Sequence, residues 1–194
     1  MKADYEAIPV TDLKTALQNI FPELPKCPSN TKYNSIAELY DQYRETLEGT
    51  FVTDKCGNQI YFLAESFPHL VKLEYFDRKQ KGWVEAVAGP TMEHLKNKRL
   101  DESRFRIQDT SRPRTLLWIP EVISSSDTIH DHKSRPELDI YVRQYKRDKG
   151  LDPIKLVLVE TRKTGERVVK TSFWTNEQYL KNCAVMPAKH PTSK

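Results

Sequence analysis

The chain has 194 residues, 38% hydrophobic and 30% charged, with three Trp, nine Tyr and seven Phe, which favours one modest core under a heavily charged surface over disorder. A net charge of +4 and a pI near 8.8 suit an anionic partner without requiring one. No run approaches the roughly 20 apolar residues of a membrane span, and MKADYEAIPV carries acids where a signal peptide has a basic start, so a cytoplasmic protein is expected.

Residues 1–48 read as a helical N-terminal extension. Thr11 and Asp12 cap a helix through Leu13, Leu17 and Ile20 that Pro22 stops. The link PELPKCPSN cannot be helical throughout. Ser35 then caps a second helix with Ile36, Leu39, Tyr40, Tyr43 and Leu47 on one face and Gly49 as its stop. These stripes are packing faces, directed at the following domain or at a partner chain.

From Thr50 the pattern turns to strands. Thr50 to Thr53 and Gln59 to Ala64 flank a DKCGN turn and read as a hairpin. SFPHLVKLEYF reads as a short helix, with Ser66 as cap and Pro68 in its first turn. Leu70, Leu73 and Phe76 then face a core, with His69 at its edge. TMEHLKNK reads as helical, RTLLWIPEVISSSD as an apolar block with a turn of helix from Pro120, and IHDHKSRPE as turn-like. Three strands follow, Leu138 to Tyr145, Ile154 to Glu160 and Arg167 to Trp174, the last two joined through TRKTGE. TNEQYLKN is a final helical turn and PAKHPTSK a loose tail. The expected class is α+β: N-terminal helices, then a compact domain of helices packed on a small antiparallel sheet. Its divisions are 1–48, 49–176 and a tail at 177–194.

Three cysteines, Cys27, Cys56 and Cys183, imply neither a disulfide framework nor a zinc site. No Gly-rich phosphate loop, dinucleotide fingerprint or nucleophile elbow occurs, so no cofactor is expected. His130 and His132, with Asp127 nearby, lack further ligands in the sequence, and no metal is expected. A basic run holds Lys96, Lys98, Arg99, Arg104, Arg106, Arg112 and Arg114 against Asp101, Glu102 and Asp109. It reads either as a phosphate-attracting surface or as a solvated loop. Metal-independent RNA cleavage needs a base for the 2′-hydroxyl, an acid for the leaving oxygen and donors for the phosphorane. His69, the arginines around Trp118 and the run Lys170, Thr171, Ser172 supply those types. By itself His69 reads more readily as a helix-start histidine bonded to backbone, and Thr171 and Ser172 as ordinary strand residues.

GTFVTDKCGNQIYFLAESFPHLVKL, RPRTLLWIPEVISSSDTI, DIYVRQY and the pair KLVLVE and VVKTSFW together resemble the phage-associated PBECR nuclease-like domains. Those domains are grouped by name with barnase, EndoU, colicins D and E5 and the RelE toxin. The resemblance runs roughly from Gly49 to Trp174. It implies two helices against a four-stranded antiparallel sheet, with the active surface on the sheet. It also implies a helix histidine and a last-strand hydroxyl, matched by His69 and by Thr171 or Ser172. Arg112, Arg114 and Arg143 are its looser phosphate-binding counterparts. The basic run and Lys170 would border the RNA face, with Trp118, Tyr141 or Tyr145 stacking bases unless they pack the core. Glu65, Glu121 and His94 are the candidates for a second acid or base. The expected function is a metal-independent RNA endonuclease, a toxin or phage-conflict effector cleaving tRNA or other RNA by 2′-hydroxyl attack. A protein partner or inhibitor would engage the N-terminal helices. The rivals are a non-catalytic protein-interaction or RNA-binding module and, third, ADP-ribosyl transfer.

Overall fold

The computed structural model describes residues 25–86, 93, 95, 102–146 and 153–185. The first predicted helix, most of TMEHLKNK with His94, and Lys96, Lys98 and Arg99 lie outside those residues. Helix α1, Ile36–Thr46, begins where Ser35 Oγ accepts from the Glu38 amide, and it buries Ile36, Leu39, Tyr40 and Tyr43. Gly49, at φ +77°, then turns the chain into a hairpin of β1, Phe51–Thr53, and β2, Gln59–Tyr61.

Strands β6 (Thr128–Asp131), β7 (Leu138–Gln144), β8 (Ile154–Thr161) and β9 (Arg167–Thr175) form a continuous antiparallel ladder. The hairpin joins it because β2 runs parallel to the start of β9, Ile60 opposite Arg167 and Tyr61 opposite Val168. The sheet therefore has six strands in the order β1-β2-β9-β8-β7-β6. A second sheet, β4-β3-β5, is built from β3 (Leu73–Asp77), β4 (Gly82–Glu85) and β5 (Phe105–Ile107).

This corrects the expected architecture. The molecule is a mixed α/β fold dominated by a large sheet, not N-terminal helices packed on a small antiparallel one, and the implied four-stranded sheet is not what forms. The parallel pairing of β2 with β9 enlarges the sheet, and two local departures from the sequence pattern add strands where none were expected. Leu70, Leu73 and Phe76 suit a helical period, but the helix stops at Val71. Lys72 takes a left-handed conformation, φ +55°, and the chain leaves as β3. IHDHKSRPE, expected as a turn, supplies edge strand β6, where His130 and Ile129 turn inward.

Helices cover both faces of the large sheet. On one face Tyr141, Tyr145, Val157, Val159 and Val169 pack with α1, with α2 (Phe67–Val71) and with α4 (Ile119–Ser124). On the other, Leu138, Ile140, Leu156 and Leu158 pack with Leu180 and Cys183 of α5 (Glu177–Cys183), which Asn176 caps. A register shift puts Leu158 opposite Thr171 but Val159 opposite Val169, which leaves Lys170 as the extra residue of a bulge. Val169 and Ser172 thereby share the first face while Thr171 is turned to the second.

Candidate functional site

The site lies along the edge of β9 beyond Val168, where β2 no longer pairs and α2 and α3 (Ser111–Arg114) take its place. Pro68 in the first turn of α2 and left-handed Lys72 at its end fix a single short helix that presents His69. Strand β4 returns antiparallel to β3 and brings Glu85 opposite Glu74. The outcome is a His69 Nδ1 to Glu85 Oε1 contact of 2.8 Å, with the two side chains 33% and 49% exposed. The carboxylate engages Nδ1 and orients an imidazole whose second nitrogen, Nε2, takes no part in the pair. Burial by itself would push the Glu85 carboxyl up. The His69 hydrogen bond, with the charges of His69, Lys72 and Arg112, outweighs it and holds the carboxyl below its ordinary value.

Arg112 joins the histidine helix to the last strand. Its Nη1 donates to Thr171 Oγ1 at 3.0 Å and to the His69 carbonyl at 3.3 Å, and Thr171 Oγ1 donates to the same carbonyl. Its Nε reaches Asp109 Oδ2 at 3.4 Å, and its guanidinium lies 5.2 Å from the Phe173 ring centroid. Asp109 is anchored in turn by the Ser111 amide and hydroxyl. Burial works against its ionised form, but those bonds and Arg112 hold its carboxyl below the usual range. His69, Glu85, Lys72, Arg112 and Thr171 thus share one neighbourhood: a proton-transfer group, its orienting carboxylate, two cations and a hydroxyl.

The other predicted site residues are dispersed. Arg114 is exposed, and its charge acts on Tyr33. Arg143 is held by Glu121 at 3.2 Å and by the Ser125 carbonyl, where it braces β7 against α4. Ser172 is buried on the core face with no hydrogen-bond partner for its hydroxyl. Lys170 pairs with Glu160 at 3.0 Å. Arg104 is exposed ahead of β5, and Arg106 pairs with Glu74 at 2.7 Å. Trp118, Tyr141 and Tyr145 are core residues, Trp118 donating to the Ser29 carbonyl. Glu65 pairs with Arg162 and Glu121 with Arg143, so neither partners His69.

Sequence reasoning missed Glu85 and Lys72. Reading LEYFD and GWVE as alternating strands around RKQK would have found the pair, because that hairpin sets Glu85 beside the helix. His130 is buried and bonded to Thr128 and the Val185 carbonyl. Among the described residues no group of three or more His, Cys, Asp or Glu is placed to hold a metal ion. No described helix is long and apolar enough to cross a membrane. No family model matches the chain, and neither a curated protein nor a solved structure does.

Proposed function

We propose that this chain is a metal-independent ribonuclease that cleaves RNA by attack of the 2′-hydroxyl on the adjacent phosphate. The observation that carries the reading is the solvent-facing His69–Glu85 pair set beside Arg112 and Thr171. His69 Nε2 takes the 2′-hydroxyl proton, and the 2′-oxygen forms a new bond to phosphorus. The bond from phosphorus to the 5′-oxygen breaks, and that oxygen takes a proton from water. A 2′,3′-cyclic phosphate and a 5′-hydroxyl result, and His69 returns its proton to solvent. Glu85 stabilises the imidazolium that forms, and Arg112 and Lys72 offset charge on the crowded phosphorane. Resemblance of the segment from Gly49 to Trp174 to PBECR nuclease-like domains supports the same chemistry, and with it a toxin or phage-conflict role on cytoplasmic RNA such as tRNA.

Incubation of the purified chain with total RNA in EDTA, followed by end-group analysis, tests the proposal. Fragments ending in 2′,3′-cyclic phosphate are expected, and His69→Ala abolishes them. Absence of cleavage by the wild type overturns the enzymatic reading, and retained RNA binding would then favour the non-catalytic module. Unchanged cleavage by His69→Ala removes His69 from the mechanism.

A further inference from the structure

Beyond Glu85, the outer face of the small sheet carries side chains that the cleavage site does not use. Strand alternation and register place Glu74 and Phe76 of β3, Trp83 and Glu85 of β4 and Arg106 of β5 on that face. The opposite face, with Leu73, Tyr75, Phe105 and Ile107, packs against the core. Phe76 is directly opposite Trp83, their ring centroids 5.6 Å apart at 73°. The Arg106 guanidinium lies 4.5 Å from the Trp83 ring centroid and is fixed there by Glu74. Phe76 stays 37% exposed although it is a large apolar side chain. The hairpin tip beside it, Arg78, Lys79 and Lys81, is exposed and cationic, and Asp77 shapes it by accepting from the amides of Lys79 and Gln80. An edge-to-face aromatic pair with a guanidinium on one ring, bordered by cations, offers a nucleobase a face to stack on and its phosphates a set of charges.

We propose that Phe76, Trp83 and Arg106 form a stacking subsite for a base of single-stranded RNA, with Arg78, Lys79 and Lys81 holding the adjacent phosphates. The subsite deepens the ribonuclease reading and rests on it for its substrate. Trp83 and Glu85 are two residues apart on one strand, so the platform begins about 7 Å from the His69–Glu85 pair. That is close to one nucleotide step, and a base stacked on Phe76 and Arg106 belongs to a residue neighbouring the cleaved phosphate. Base-paired RNA has no free base face to offer, so the platform selects single strands or loops.

The test compares Phe76→Ala, Phe76→Tyr and Trp83→Phe with the wild type on a short single-stranded oligoribonucleotide and on the same sequence in a duplex. Cleavage is followed directly, and binding is followed by tryptophan fluorescence in the His69→Ala background. Phe76→Ala, at an exposed position, is expected to weaken single-strand binding roughly tenfold and raise KM with kcat retained, while Phe76→Tyr restores both. The wild type is expected to quench on binding and Trp83→Phe to lose most of the quench. Equal KM and binding for Phe76→Ala and wild type, in a protein that does cleave, overturns the subsite and leaves the ribonuclease reading standing. Quenched binding that depends on Phe76, in a protein that cleaves no RNA, supports the subsite and overturns the catalytic reading instead. Equal preference for the duplex also overturns the subsite.

Discussion

Lys155 is fully buried in β8, its Nζ 2.7 Å from Thr115 Oγ1 and 5.3 Å from the Trp174 ring centroid. Burial, with Arg112 adding repulsion and Asp109 offsetting part of it, pushes its pKa from 10.5 down to about 7. An ammonium that the fold disfavours this much reduces stability by on the order of 4 kcal/mol near neutral pH. Lys155→Met keeps an unbranched side chain one atom shorter and removes the charge. Thr115 loses one bond, a cost of about 1 kcal/mol, but its hydroxyl still reaches the carbonyls of Ser111 and Arg112. The net expectation is a stabilisation of roughly 2–4 kcal/mol in acid and neutral solution. The sign with pH follows from the depressed folded value. As pH falls from about 10.5 towards 7, the unfolded chain binds the proton first, so wild-type stability declines over that window. The advantage of Lys155→Met is therefore largest at about pH 6 and shrinks to roughly half or less by about pH 9. Urea unfolding of both proteins at the two pH values, with m compared, reads this directly. Destabilisation of Lys155→Met at about pH 6, or an advantage that does not change with pH, refutes the reasoning.

Glu85→Gln keeps the shape of the pair but not its charge, so kcat for RNA cleavage should drop roughly 10- to 100-fold with KM little changed, as steady-state kinetics would show. Ser172→Ala removes a buried hydroxyl that has no partner. It should leave cleavage intact and raise stability by up to about 1 kcal/mol in urea unfolding, whereas Thr171→Val detaches Arg112 and should lower cleavage. Asp54 is a buried carboxylate bound by the Tyr141 hydroxyl at 2.7 Å and by the Asn58 side chain and two backbone amides. Burial opposes its charge, but these bonds win and lower its carboxyl below the usual range. Its stabilisation is present above the unfolded carboxylate value and is lost as pH falls through the lower folded one. Asp54→Ala should thus cost about 3 kcal/mol at neutral pH, and the difference from wild type should narrow in acid. A thermal unfolding series against pH measures that narrowing.

Local signals were strong where a segment's own chemistry decides its conformation. Ser35 with the stripe from Ile36 to Tyr43 specifies α1, and DKCGN and TRKTGE specify their hairpins with glycines at φ +84° and +85°. The apolar run from Ile154 and the β-branched stretch after Arg167 specify β8 and β9 to within a residue or two. His69 and the neighbouring hydroxyls Thr171 and Ser172 were singled out through the resemblance, with no choice made between the two hydroxyls. What neighbouring residues could not specify is who meets whom. Parallel pairing of β2 with β9, made across more than a hundred residues of chain, turned an expected small antiparallel sheet into a six-stranded mixed one. The left-handed turn at Lys72 converted an apparent helical stripe into β3, and with it created the hairpin that carries Glu85 to His69. The bulge at Lys170 sent Ser172 into the core and Thr171 to Arg112, a choice that alternation along one strand cannot make. Conformation in this chain is written locally, while the site is made by long-range register, because charge pairing and burial depend on partners that only the tertiary fold brings together.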